Sequence, residues 1–71
     1  MDINDRVKRM RNTLKLKQKD VANKIGIKQS SLSDIENKRV NVSERVIKDI
    51  CREYSVNEDW LRNGSKPMFI N

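Results

Sequence analysis

The chain has 71 residues, 35% hydrophobic and 37% charged, which bounds it to one small domain with a thin core and leaves no room for a large enclosed cavity. Lysine and arginine number 16 against 10 acids, and the net charge of +6 favours polyanions: nucleic acid first, an anionic membrane surface second. There is no histidine, no nucleophile beside a base and no glycine-rich phosphate loop, so no enzyme is expected.

In chain order, the spacing predicts a first helix from Ile3 to Thr13, with Ile3, Val7, Met10 and Leu14 as its apolar stripe. Between Arg6 and Lys19 the chain carries Arg6, Lys8, Arg9, Arg11, Lys15, Lys17 and Lys19 and no acid. A second helix is expected from Gln18 to Ile25, where Val21 and Ile25 share a face and Ala22 is small enough for close approach of another helix. Gly26 follows, the only glycine before residue 64, where a reversing chain needs a left-handed residue. A third helix is expected from Gln29 to Asn37. Its Leu32 and Ile35 share one face, and Lys28, Gln29, Ser30, Ser31, Ser33 and Asp34 make the rest polar.

Lys38 to Val42 read as a loop. Ser43 is a plausible cap for a fourth helix reaching Tyr54, with Val46, Ile47, Ile50, Cys51 and Tyr54 facing inward. Asn57 caps a short fifth helix with Glu58 and Asp59 in its first turn, ended by Gly64, with Pro67 barring its resumption. Trp60 and Leu61 are expected to pack back on the core. A domain at 1–64 and a tail or linker at 65–71 follow from this pattern. Cys51 is the only cysteine, so no intrachain disulfide and no zinc ligand set is available, and its helical spacing suits core filling. No signal peptide and no apolar run of 18 residues is present, which points to a cytoplasmic, nucleoid-associated protein with no membrane partner.

The stretch QKDVANKIGIKQSSLSDIEN (residues 18–37), followed by Val56-Asn57-Glu58-Asp59-Trp60-Leu61, resembles the lambdoid phage repressor and Cro family of Xre-like helix-turn-helix proteins. The likeness covers roughly residues 3 to 64. It implies an all-α, compact five-helix lambda-repressor-like DNA-binding domain, with the helix-turn-helix formed by helices 2 and 3. It further implies double-stranded DNA as partner, a homodimer on an inverted repeat, repression, and neither metal, cofactor nor small-molecule ligand.

By the same resemblance, Lys28, Gln29, Ser30, Ser33 and Asp34 occupy base-reading positions. Glutamine pairs bidentately with adenine, lysine donates to guanine O6 and N7, and a carboxylate accepts from cytosine N4. For Asp34 an ion pair with Lys38 is the simpler alternative. Lys8, Arg11, Lys17, Gln18, Asn37, Lys38, Arg39 and Asn41 are the expected phosphate contacts. Arg11 and Glu36 match a family ion pair between helices 1 and 3. Val56, Trp60, Leu61 and Phe69 are candidates for a dimer seam, although the first expectation for Trp60 is the core.

Three lysines depart from the family pattern. Lys17 and Lys28 stand where an oxygen-bearing side chain normally caps a helix, and each costs about 1 kcal/mol of stability there. Lys38 replaces the usual glycine, so the loop after helix 3 is free to take another shape. A rival reading is a protein-interaction module on the same fold (antitoxin- or adaptor-like). The polar, basic third helix argues against it, because a partner-binding face should show an apolar patch.

Overall fold

A computed structural model describes residues 1–70. The first element, α1 (Ile3–Thr13), starts at Asp2, whose carboxylate accepts from the Asp5 amide at 2.9 Å while Asp5 accepts from the Asp2 amide, a reciprocal capping box. Then come α2 (Gln18–Ile25), α3 (Gln29–Glu36), α4 (Glu44–Tyr54) and α5 (Glu58–Asn63). Ser43 caps α4 and Asn57 caps α5 through their side-chain oxygens, as expected. The third helix stops one residue earlier than expected, with Asn37 as its C-cap.

The first three helices end in the same way. The residue after the C-terminal turn is left-handed and two amides turn back on the helix: Lys15 and Leu16 onto Asn12 and Arg11, Gly26 and Ile27 onto Asn23 and Ala22, Lys38 and Arg39 onto Ile35 and Asp34. These are Schellman turns, and they satisfy the last carbonyls of each helix. Only the turn after α2 has glycine in the left-handed position; the others hold Lys15 and Lys38 at φ of 58° and 63°. The loop after α3 therefore does not adopt a different shape, because the two returning amide bonds offset the strain of a lysine there. Lys38 is held further by its ammonium, which lies 3.0 Å from Asp5 and 3.5 Å from Asp2. That hydrogen bond lowers the pKa of Asp5 and raises that of Lys38.

Val7, Met10, Val21, Leu32, Ile50, Val56 and Leu61 are almost entirely buried, and burying each is worth about 1.5–3 kcal/mol. Leu14 departs from the predicted stripe: it lies beyond the last helical residue and is exposed. Trp60 is buried; Cys51 is half-buried against the core, and desolvation pushes its thiol pKa up.

Three polar residues hold the helices in place. Asn4, buried on α1, donates to the carbonyls of Ile35 and Val40 at 2.8 and 2.9 Å and so clips the end of α3 and its following loop. Arg6, also buried, donates to the carbonyls of Leu61, Arg62 and Met1 and clips the end of α5. Arg45 reaches the Ile25 carbonyl at the end of α2. Arg6 thus leaves the basic run: it is an internal fastening rather than a surface cation.

The segment after α5 turns back onto the domain. The Asn57 amide donates to the Met68 carbonyl and the Ile70 amide to that of Ser55, both at 2.8 Å, bracketing an antiparallel bridge between Val56 and Phe69. Met68 and Phe69 pack against the core. The boundary expected at residue 64 marks no break in packing; Asn71 lies outside the described residues.

Gly26 has φ of +74°, and a Cβ there would lie 3.2 Å from Nη2 of Arg45. We expect Gly26→Ala to destabilise the protein by about 1–2 kcal/mol, the ordinary penalty for a left-handed residue with a side chain, measured by urea unfolding; an unchanged midpoint would show that the turn relaxes freely.

Candidate nucleic-acid interface

Helical spacing on α3 separates two faces. Leu32, Ile35 and Glu36 point inward and are buried. Gln29, Ser33 and Asn37 lie four apart on the outer side, with Ser30 and Asp34 one step around. Lys28, Gln29, Ser30 and Asn37 are exposed, while Ser33 and Asp34 are half-buried. The Asn37 side-chain amide donates to the Ser33 hydroxyl at 3.2 Å. All five expected base-reading residues therefore share one continuous polar surface.

The helix is aimed by a buried carboxylate. The side chain of Glu36 is 2% exposed and accepts from Arg11 Nε at 2.8 Å and Nη2 at 2.9 Å. It also accepts from Gln18 Nε2 at 3.1 Å. Arg11 Nη1 donates to the Leu16 carbonyl at 2.8 Å, which completes a fork joining α1, the α1–α2 turn and the end of α3. The bond to Glu36 is the main cause of the raised Arg11 pKa. Arg11 and Gln18 are therefore largely committed within the protein, and each keeps only part of its surface for an outside ligand.

No side chain caps the start of α2 or α3. The N-cap residues are Lys17 and Lys28, both exposed, and among the described residues no acid lies within ion-pair distance of either. Lys8 is likewise exposed, and it too has no acid within ion-pair distance among the described residues. Two helix N-termini thus offer uncapped amides beside a free ammonium, an arrangement suited to an anionic oxygen.

Two expected cations sit differently. Lys38 is turned away to Asp2 and Asp5, so the expected Asp34–Lys38 pair is absent. The partner of Asp34 is Arg39, at 3.4 Å. The left-handed backbone at Lys38 sends its side chain toward α1 and leaves the next residue above Asp34. Asn41 is exposed in the loop. Of the dimer-seam candidates, Val56, Trp60 and Leu61 are 1%, 7% and 0% exposed, so the chain's own core consumes them and only Phe69 keeps an appreciable surface. Sequence reasoning passed over Asn4 and counted Arg6 in the basic run, yet there was a signal. Arg6 lies three from Ile3 and four from Met10, and Asn4 lies three from Val7, which puts polar groups against the apolar stripe.

A family model described as helix-turn-helix matches residues 7–61, and the chain belongs to that family, in keeping with its resemblance to Xre-like proteins. Among solved structures, the chain is similar to the c2 repressor of phage P22 in complex with synthetic operator 9T in the presence of Tl+. The TM-score is 0.81 at 17% identity, with 92% of this chain and 98% of that chain covered. At this identity the likeness is one of fold, and it confirms the five-helix lambda-repressor-like architecture.

Replacing Lys17 or Lys28 by serine should raise stability by about 1 kcal/mol each, because serine supplies the missing acceptor. Thermal melts of both variants check this, and a fall in both would show that the lysines already serve the fold. In a double-mutant cycle of Arg11→Met and Glu36→Gln, the coupling should reach about 1–3 kcal/mol; additivity within error would show that the pair does not fasten α3.

Proposed function

We propose that this chain is a sequence-specific double-stranded DNA-binding transcriptional regulator, a repressor of phage or mobile-element type that binds an inverted repeat as a dimer. The observation that carries the reading is the outward polar face of α3, flanked by the unpaired, uncapped lysines at residues 17 and 28. A major groove of about 12 Å accepts one helix. In this docking Gln29 pairs with adenine, Lys28 donates to guanine, and Ser30 and Ser33 accept or donate according to the base. Lys8, Lys17, Asn37, Arg39 and Asn41 hold phosphate, with Gln18 and Arg11 contributing what Glu36 leaves free. Dimer half-sites would lie about one helical turn, roughly 34 Å, apart, and occupancy would block a promoter. The P22 c2 repressor, alike in fold and bound to an operator, supports the docking mode by analogy. A nucleoid location in the cytoplasm goes with this activity; among the described residues no helix is long and apolar enough to cross a membrane.

The test is duplex binding against salt. Six to ten phosphate contacts imply a loss of about three to five decades of affinity between roughly 50 and 200 mM salt. Selection of bound fragments from random DNA should recover a two-fold symmetric site. A flat salt response would favour the protein-interaction module, and a recovered site without symmetry would remove the dimer from the proposal.

A further inference from the structure

Arg39 is fixed relative to α3 by the backbone. Its amide donates to the Asp34 carbonyl at 2.9 Å, the outer of the two bonds in the Schellman turn that ends the helix. That tether sets the guanidinium beside the Asp34 carboxylate, with Nη1 to Oδ1 at 3.4 Å. Of the two acids in α3, Glu36 is buried in its cluster with Arg11, and Asp34 alone stands on the outward face. The Asp34–Arg39 pair is long and open, with side chains 44% and 68% exposed, so water and salt screen it and either partner exchanges readily. A charge on the reading face is thus cancelled by a cation that would otherwise be free to grip phosphate.

We propose that Asp34 sets specificity through Arg39. On arbitrary duplex the carboxylate keeps the guanidinium and withholds one phosphate contact. Where a base presents an exocyclic amine to Asp34, that amine takes the carboxylate and Arg39 moves to the backbone phosphate. Cytosine N4 and adenine N6 are the amines a major groove offers. Guanine O6 and thymine O4 are acceptors, which leave Asp34 paired with Arg39. Base identity is thereby converted into a phosphate contact, and non-cognate DNA is disfavoured without any clash. This inference rests on the DNA-binding reading above.

The test uses the full chain, a random-sequence duplex and the site that the wild type selects from random DNA, each titrated against salt. Asp34→Asn keeps the shape and removes the charge. On random duplex it should bind more tightly, with a log–log salt slope steeper by about 0.9, the increment for one more neutralised phosphate. The ratio of selected to random affinity should fall by about tenfold, the lower end of what one good base contact discriminates. Asp34→Ser should act in the same direction. In an Arg39→Gln background, Asp34→Asn should change neither the random affinity nor the slope. A silent Asp34→Asn overturns the inference. So does an equal gain with and without Arg39, which would mean that the carboxylate merely repels phosphate. Wild-type protein without salt-dependent binding to any duplex overturns the DNA-binding reading itself. Salt-dependent wild-type binding with a silent Asp34→Asn overturns the Arg39 exchange alone.

Discussion

The Glu36 carboxylate, buried at the end of α3, is the interaction on which the arrangement of the helix-turn-helix depends. An unpaired carboxylate there would be strongly destabilising, and burial is tolerated only with excellent geometry and full hydrogen bonding. Arg11 supplies a bidentate fork from α1, and Gln18 adds a third donor from the start of α2. Because Glu36 is held from both α1 and α2, a rotation of α3 about its own axis would break contacts to two helices at once. The apolar contacts of Leu32 and Ile35 press α3 onto the core and fix which side is inside. The ionic cluster fastens that orientation at the end of the helix, and with it the set of side chains that faces outward.

Around this centre the backbone is closed by polar fastenings at helix ends. Asn4 secures the end of α3, Arg45 the end of α2 and Arg6 the end of α5. In a chain this small, where the apolar core is thin, carbonyls satisfied by side-chain donors avoid the desolvation penalty that unsatisfied ends would carry. Among the described residues no buried side-chain nitrogen or oxygen lacks a partner. The starts of α2 and α3 are the contrast. They forgo a side-chain cap and carry lysines instead, a local violation of helix chemistry of the kind that accumulates where a surface serves a ligand.

Much of this was legible before the fold was known. Periodicity placed all five helices to within one residue, Ser43 and Asn57 as caps, and Gly26 as the left-handed turn. The outward set on α3 was legible too, because Leu32 and Ile35 fix which side is inside. Lys38 misled for a physical reason: side-chain preference argues against a left-handed lysine, but the two returning amides and the carboxylates of Asp2 and Asp5 override it. The packing of the tail was not legible because its few residues have no period of their own. Their structure comes from pairing with Ser55 to Asn57.

The amino-acid order by itself determined the helices, their ends and the net positive charge, since these follow from contacts within a few residues and from simple counting. Only the tertiary structure decided which cations remain free. Arg6 and Arg11 are drawn inward, Lys38 is turned to α1 and Arg39 to Asp34, while Lys8, Lys17 and Lys28 stay open to solvent. Long flexible side chains can reach many partners, and which acid or carbonyl comes within hydrogen-bond distance is set by the packing of distant segments.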